Sequence, residues 1–531
     1  MQFDWPLSGG GNAPTNQSRE CCAFWLSRTS WVGGDVKKGI FQEGLWDDLD
    51  RAYRCHPKFG VRDARPIEDH GRGKVTLAQD IRRGDFVVAA GLLGLALLAG
   101  GGSPVASLQR MIVELGGVVA LGWFFVRGWR APRGRSVTTA FILIGALVVL
   151  VIVQTIPLPP GVWHSLPGRG AVIDVLNVVG APDTWLAFSL DPTATREAGY
   201  FLIAPIAMFV ATLHLNRDEQ LKLLVLIVGA ALISAILVMI QAQGALWLTL
   251  YDAPHATKGK GIFANKNHNA ALLVLAIPLA AMLGRSMVWF RQPSTQRTVA
   301  GIVIAVLAVA VVGCLSRAGL ALLPVALVAC VPLMGGWALV RRYPKIAVAF
   351  LAILLAAAVV IAQSSIAQET LDRFGATQEG RYVFWPDVLT AIRQFLPWGS
   401  GLGTFVPVFR MAESLEAVHQ TFTNHAHSDF MEIALEAGVP GVILVLGFVG
   451  WLITTAWARL RGRIGTPDFA PMLAVLVGIV ILLAASIVDY PLRTLLLACV
   501  FAVFAAILAS PTPFRVPTLL QSKPGRQGRY R

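Results

Sequence analysis

Runs of apolar residues, each long enough to cross about 30 Å of hydrocarbon, recur along most of the chain. Taken in order they predict helices over 86–100, 111–127, 137–157, 199–215, 219–243, 269–284, 298–315, 318–340, 345–362, 438–457, 470–489 and 492–510. The fold class this predicts is an all-α polytopic membrane protein with about 12 transmembrane helices. A transmembrane β-barrel would instead show alternating segments of about ten residues. Polar stretches interrupt the pattern at Leu158–Glu197, Gly244–His268 and Gln363–Ala437, the last a large loop between helices nine and ten.

The short connections are basic: Arg127 to Arg135, Arg217 with Lys222, Arg285 to Arg297, Arg341 to Lys345, and Arg459 to Arg463. By the positive-inside bias that side is cytoplasmic, together with residues 1–84 and the basic tail 511–531. Residues 1–84 are polar and Gly-rich, carry no signal-peptide pattern, and are expected to be a disordered cytoplasmic tail. The long loops then lie on the outward face. Function is expected there.

Composition agrees with this reading. Of 531 residues, 55% are hydrophobic and 14% charged, and the mean hydropathy is +0.62. The net charge of +14 comes from cations scattered at helix ends, so no nucleic-acid partner is expected. Cys21, Cys22, Cys55, Cys314, Cys330 and Cys499 show neither C-x-x-C nor metal-ligand spacing, and no disulfide framework is expected.

An outward-facing enzyme has no access to cytoplasmic nucleotides, so its substrate must arrive already activated. A lipid diphosphate is a natural carrier, and Arg or Lys would be needed to grip it. Candidate cations are Lys266 and Arg196 before apolar helices, Arg317 in Ser316-Arg317-Ala318-Gly319, and Arg381 opening Arg381-Tyr382-Val383-Phe384-Trp385. Plainer roles fit them equally: interfacial anchors for Lys266 and Arg196, a helix cap for Arg317, a cation–aromatic pair for Arg381 with Trp385. Sugar transfer from a diphosphate has a stable leaving group but needs a base for the acceptor hydroxyl, a task that suits His.

His425 and His427 precede a segment that reads as an amphipathic helix over 424–437, stopped by Gly438. On that helix Asp429, Glu432 and Glu436 lie opposite Phe430, Ile433 and Ala434. The two His would then point about 200° apart. His425-x-His427-x-Asp429 resembles a binuclear metal motif, but Phe430 stands where a further His is needed, and no metal is expected. Asp489 and Arg493, at i and i+4 between the last two helices, are expected to pair with each other.

At these residues the chain resembles the O-antigen ligase / O-antigen polymerase family of bacterial membrane glycosyltransferases. His427-Ser428, nine residues, Gly438 and Gly441 match the family's H-[NSQ]-x9-G-x2-[GTY]. Phe263–Asn267, Ser316–Gly319, Arg381 to Trp385 and Gly399–Phe405 resemble further family stretches, in the family's order. The resemblance spans roughly 85–510, as one transmembrane glycosyltransferase domain with 363–437 as its periplasmic loop.

The resemblance implies transfer of an oligosaccharide from a polyprenyl (undecaprenyl) diphosphate, with neither metal nor other cofactor, at the periplasmic face of the bacterial inner membrane. It implies His427 as base, Arg317 and Arg381 on the diphosphate, and Lys266 and Arg196 assisting. Asn265, Asn267, Trp385, Ser428, Glu432 and His425 are expected to support them. The implied partners are the lipid-linked donor, a glycan or lipid A–core acceptor, the bilayer, and chain-length regulator or export proteins. A polymerase of O-antigen or exopolysaccharide is slightly favoured over a ligase or a protein O-oligosaccharyltransferase. The competing class is a flippase for lipid-linked sugars, which would need ionisable groups at mid-membrane, where Glu114 is the main candidate.

Overall fold

The computed structural model describes residues 70–102, 107–128, 132–245, 247–251, 258–286, 292–335, 380–415, 418, 423–464 and 466–511, with side chains from 83 onward in the first segment. Residues 1–69 and the predicted helix 345–362 lie outside the described residues. The functional candidates all belong to the unit Lys74–Arg531.

Helices dominate, as the apolar runs require. They are α1 His70–Ala99, α2 Ser107–Val126, α3 Arg135–Thr155, α4 Pro160–His164, α5 Gly170–Val178, α6 Pro192–Phe201 and α7 Ile203–His214. Then come α8 Arg217–Ala242, α9 Lys266–Ser286, α10 Pro293–Gly313, α11 Arg317–Leu333, α12 Gly380–Phe395 and α13 Phe405–Ala412. The series ends with α14 Asp429–Leu460, α15 Phe469–Val488, a 3₁₀ turn Pro491–Arg493 and α16 Leu495–Ala509. Among the described residues eight helical segments are long and apolar enough to cross a membrane, and α11 and α16 are shorter apolar helices. The chain is a helical membrane protein. α1 starts at His70 rather than 86, so the end of the predicted tail is helical. A minimal antiparallel ladder, β1 Pro157–Leu158 with β2 Leu186–Ala187, departs from the all-helical expectation.

The core is centred on α9, whose apolar residues face every direction, so that 94% of its apolar window is buried. It packs against α8, α10, α11 and α15. Because lipid offers Leu as good an environment as another helix does, association here rests on close packing of small residues. Ala270, Ala276 and Ala281 are fully buried, and a Cβ on Gly284 would meet the Ala300 methyl. Glu114 is not an isolated mid-helix charge, since Arg110 Nε donates to it at 2.7 Å.

One end of the bundle is held by arginines rather than merely marked by them. Arg217 donates to the carbonyls of Ile507 at 3.2 Å and Ser510 at 3.0 Å, and Arg459 to those of Leu508 at 3.1 Å and Ala509 at 2.9 Å. These are the last carbonyls of α16 and that of its C-cap Ser510, which have no partner within the helix. Arg217 is only 5% exposed. Arg217→Met is therefore expected to destabilise the protein by about 1–3 kcal/mol, the cost of unpaired buried carbonyls. A lowered melting temperature in detergent would register it.

The opposite end is where functional candidates gather. There Ala264 N donates to Gly101 O at 2.9 Å, Leu496 N to Gly100 O at 3.0 Å, and Asp429 N to Asp489 O at 3.2 Å. These bonds bring the C-terminal ends of α1 and α15 together with the N-terminal ends of α9, α14 and α16.

Candidate functional site

The described part of the polar island has a core of its own. α12 and α13 bury Phe384, Val388, Phe395, Phe405 and Phe409 against Leu435 and Ala426. The loop between them, Gly399-Ser400-Gly401-Leu402-Gly403, lies against α14 and the start of α6. Gly401 has φ +116°, and a Cβ there would run into the Ser189 side chain. Gln154, at the end of α3, donates to Glu436 O at 3.1 Å and accepts from Leu402 N at 2.9 Å. The island is thus fixed to the helix bundle through buried polar contacts.

His427 stands at the centre. Its helix begins later than the sequence pattern indicates, at Asp429, with Ser428 as N-cap accepting from Met431 N at 3.4 Å. His425 and His427 therefore precede the helix, and the 200° argument does not apply to them. Gly438, φ +56°, does interrupt the helix where a stop was expected. His427 itself has φ +49°. That conformation is unfavourable for a side chain with a Cβ and persists only where its surroundings impose it.

The surroundings do impose it. Before His427, Trp385 Nε1 donates to Ala426 O at 2.9 Å, and Ala426 N donates to Glu432 Oε2 at 3.0 Å. After it, Ser428 Oγ donates to Ser486 O at 3.4 Å, and Asp429 N is tied to Asp489 O. The pinned ring places Nδ1 3.4 Å from Asp489 Oδ1 while the side chain keeps 27% exposure, against 3% for Asp489. His425 turns the other way, with Nδ1 2.8 Å from Glu432 Oε1. The two His address different carboxylates, so they do not form a common ligand pair. Among the described residues no cluster of three or more His, Cys, Asp or Glu is arranged to hold a metal ion.

Tyr490 fills the space between the histidines. Its ring centroid is 4.1 Å from that of His425, 5.1 Å from His427 and 4.9 Å from His268. Its hydroxyl is hydrogen-bonded by Asn424 and Asn265. Burial, and then the negative charge of Asp489, push the phenol well above its ordinary range, so it stays neutral.

Beneath the histidines lies an ionic network that differs from the sequence expectation. Asp429, Glu432 and Glu436 are buried, 4%, 1% and 0% exposed. Arg493 does not pair with Asp489 but reaches all three, Nη2 to Glu436 at 2.9 Å, Nη1 to Glu432 at 3.0 Å and Nε to Asp429 at 3.7 Å. Burial alone would lower the Arg493 pKa, but the carboxylates of Glu432, Glu436 and Asp429 outweigh it and raise it. The remaining acid lone pairs are satisfied too: Glu436 accepts from Phe405 N at 3.1 Å, Asp429 from Ser486 Oγ at 2.7 Å.

The expected cations divide into three cases. Lys266 and Arg317 are the first residues of α9 and α11, and a cavity lined by Asn267, His268, Ala318, Gly319 and Asp489 joins these two helix starts. Asn265 caps this entry to α9 by accepting from Asn267 N at 2.9 Å. A cation at a helix N-terminus opposes the helix dipole, so neither is placed for helix stability. Arg196 is exposed on α6 and donates to Thr193 Oγ1 at 3.1 Å, with no bond to a member of the His427 cluster. Arg381 lies in α12, but its side chain is outside the described residues.

A family model of O-antigen ligase matches residues 301–446. Over this segment the chain is similar to the O-antigen ligase family. No curated protein matches the chain. The matched segment includes Arg317, Trp385, His425, His427, Glu432 and Glu436. It ends before Asp489, Tyr490 and Arg493, and it begins after Lys266 and His268. The site is therefore assembled from the matched segment and from the helices on either side. Asp489, Tyr490, Arg493, His268 and Gln154 are the members that sequence reasoning did not place in the site.

Proposed function

We propose that the chain is a glycosyltransferase of the bacterial inner membrane that moves an oligosaccharide from a polyprenyl diphosphate to a glycan hydroxyl on the periplasmic side. The observation that carries this reading is His427. It is a partly exposed imidazole on imposed backbone, backed by a buried carboxylate, beside two helix N-termini that each begin with a cation. Helix N-termini with basic side chains suit a diphosphate, whose charge reverses the local penalty on Lys266 and Arg317. Arg381 would join them, and Arg196 contributes at most at the rim.

The chemistry follows from which atoms are free to act. Asp489 Oδ1 faces His427 Nδ1 at 3.4 Å without a hydrogen bond between them in this structure, and a carboxylate on that side favours the neutral tautomer with hydrogen on Nδ1, which leaves Nε2 as acceptor. The acceptor hydroxyl gives its proton to Nε2 as its oxygen bonds to the anomeric carbon. The bond from that carbon to the diphosphate oxygen breaks, and its electron pair leaves with the polyprenyl diphosphate. No strong acid is needed, because the leaving group is stabilised by cations and by the helix dipoles. The acceptor is lipid A–core in a ligase and another repeat unit in a polymerase, which remains the favoured assignment.

Arg317→Gln tests the donor side. It is expected to lower kcat/KM for the lipid-linked donor by about tenfold or more, the worth of one charge-assisted phosphate contact. Cells carrying it should accumulate lipid-linked glycan, and normal turnover would remove Arg317 from the donor site. The glycan profile of the same cells separates the acceptors. Lost chain-length distribution indicates a polymerase, and unattached long chains a ligase.

A further inference from the structure

His268 is the third residue of α9 and is 4% exposed. Phe263 and Tyr490 stand edge-on to its ring, with centroids 6.4 and 4.9 Å away. Nδ1 has a firm partner, Thr494 Oγ1 at 2.7 Å. Nε2 has no hydrogen-bond partner, although it is buried and only 4.0 Å from Asp489 Oδ1. Buried polar atoms in native proteins are satisfied by protein or by ordered water. A cavity of about 10 Å³ lies at this point, lined by Asn267, His268, Ala271, Gly319, Leu322 and Asp489. That is room for about one water. Two hydrogen bonds of about 2.8 Å meeting near a right angle at one oxygen span such a gap.

Asp489 Oδ1 is thus flanked by two imidazoles, His427 Nδ1 at 3.4 Å and His268 Nε2 at 4.0 Å. We propose that His268 is a positioning residue for the transfer reaction: through one water seated in this cavity it holds the Asp489 carboxylate against His427. The inference rests on the reading of His427 as base. The hydrogen-bond directions are consistent along the chain. A carboxylate only accepts, so the water donates to Asp489 and accepts from His268 Nε2–H. Nδ1 then accepts from the Thr494 hydroxyl. Tyr490 N also donates to Asp489 Oδ1, at 3.0 Å, so loss of the Nε2 donor would not free the carboxylate but would remove its link to His268 and weaken its bias on the His427 tautomer.

Two amide substitutions separate positioning from packing, because glutamine places a nitrogen near Nε2 and asparagine near Nδ1. His268→Gln keeps the donor towards the cavity, and His268→Asn keeps only the contact with Thr494. Donor for the assay is the lipid-linked glycan extracted from cells carrying His427→Ala, where it is expected to accumulate. The expected result is a kcat for H268N lower by at least about tenfold, with KM for the donor within about twofold, and a kcat for H268Q near that of the parent. Each value is taken per folded protein. Full kcat in H268N overturns the proposal, as does an equal loss in both variants, which would mean that the ring serves packing. The His427→Ala strain separates the two levels. Normal donor turnover there overturns the base assignment itself, whereas a dead H427A beside a fully active H268N overturns only the role of His268.

Discussion

His427→Ala is expected to lower transfer by about 10²–10⁴-fold, the usual worth of a positioned general base, while the folded protein survives. The side chain is partly exposed and meets the island core at the Phe384 ring, 6.2 Å between centroids, so its loss leaves no large cavity. The backbone should keep its shape as well, because the positive φ is fixed by the flanking bonds to Trp385, Glu432, Ser486 and Asp489. Asp489→Asn should cause a similar loss by a different route. An amide can donate to Nδ1 and so favour the tautomer in which Nε2 carries the hydrogen and cannot accept. The double variant should be little worse than either single one, since the two residues act as a unit. Donor turnover in membranes, with the melting temperature as control, measures this. Normal turnover in both single variants would sink the reading of a His-based transferase.

Much of this was legible in the chain. The apolar runs located the helices because a span must satisfy all its backbone bonds internally, which leaves a long and unmistakable signature. His427, Glu432, Trp385, Asn265 and Asn267 could be singled out as candidates because they sit in polar segments that match or adjoin a known motif, and the structure places them near one another. Asp489 and Arg493 were noticed but given to each other, since adjacency at i and i+4 is all that sequence reveals about partners. Their true partners come from α9, α14 and the segment before α14, far away along the chain. The acidic face of 429–437 is inverted relative to a water-soluble helix, and its spacing alone does not say which side is wet. In a water-soluble helix the acidic face is the wet one, but in a bundle the apolar residues are free to face lipid and the acids turn inward to an arginine. His268 was hidden for a related reason: one histidine at the mouth of an apolar helix has no pattern to announce it.

That inverted face leads to the second large effect. Arg493, in the turn between α15 and α16, reaches three carboxylates that are each at most 4% exposed. Arg493→Met would keep the volume and remove the charge, leaving Asp429, Glu432 and Glu436 facing one another. Breaking a buried ion pair from one side costs about 3–5 kcal/mol, and since the Arg493 side chain is 23% exposed the lower end is expected here, about 3 kcal/mol. The melting temperature in detergent should fall accordingly. Adding Glu436→Gln to Arg493→Met should recover part of the loss, because the amide still accepts from Phe405 N and no longer repels Glu432. In the parent background, the same Glu436→Gln should be destabilising. That change of sign between backgrounds is the signature of a network, and additive effects of the two substitutions would show that Arg493 and Glu436 contribute independently. The same experiment bears on function, since Glu432 both anchors Arg493 and holds the backbone of Ala426, one residue before His427. Loosening the network from Arg493 should therefore reduce transfer per folded protein as well as stability, through the position of His427 rather than through any contact with substrate.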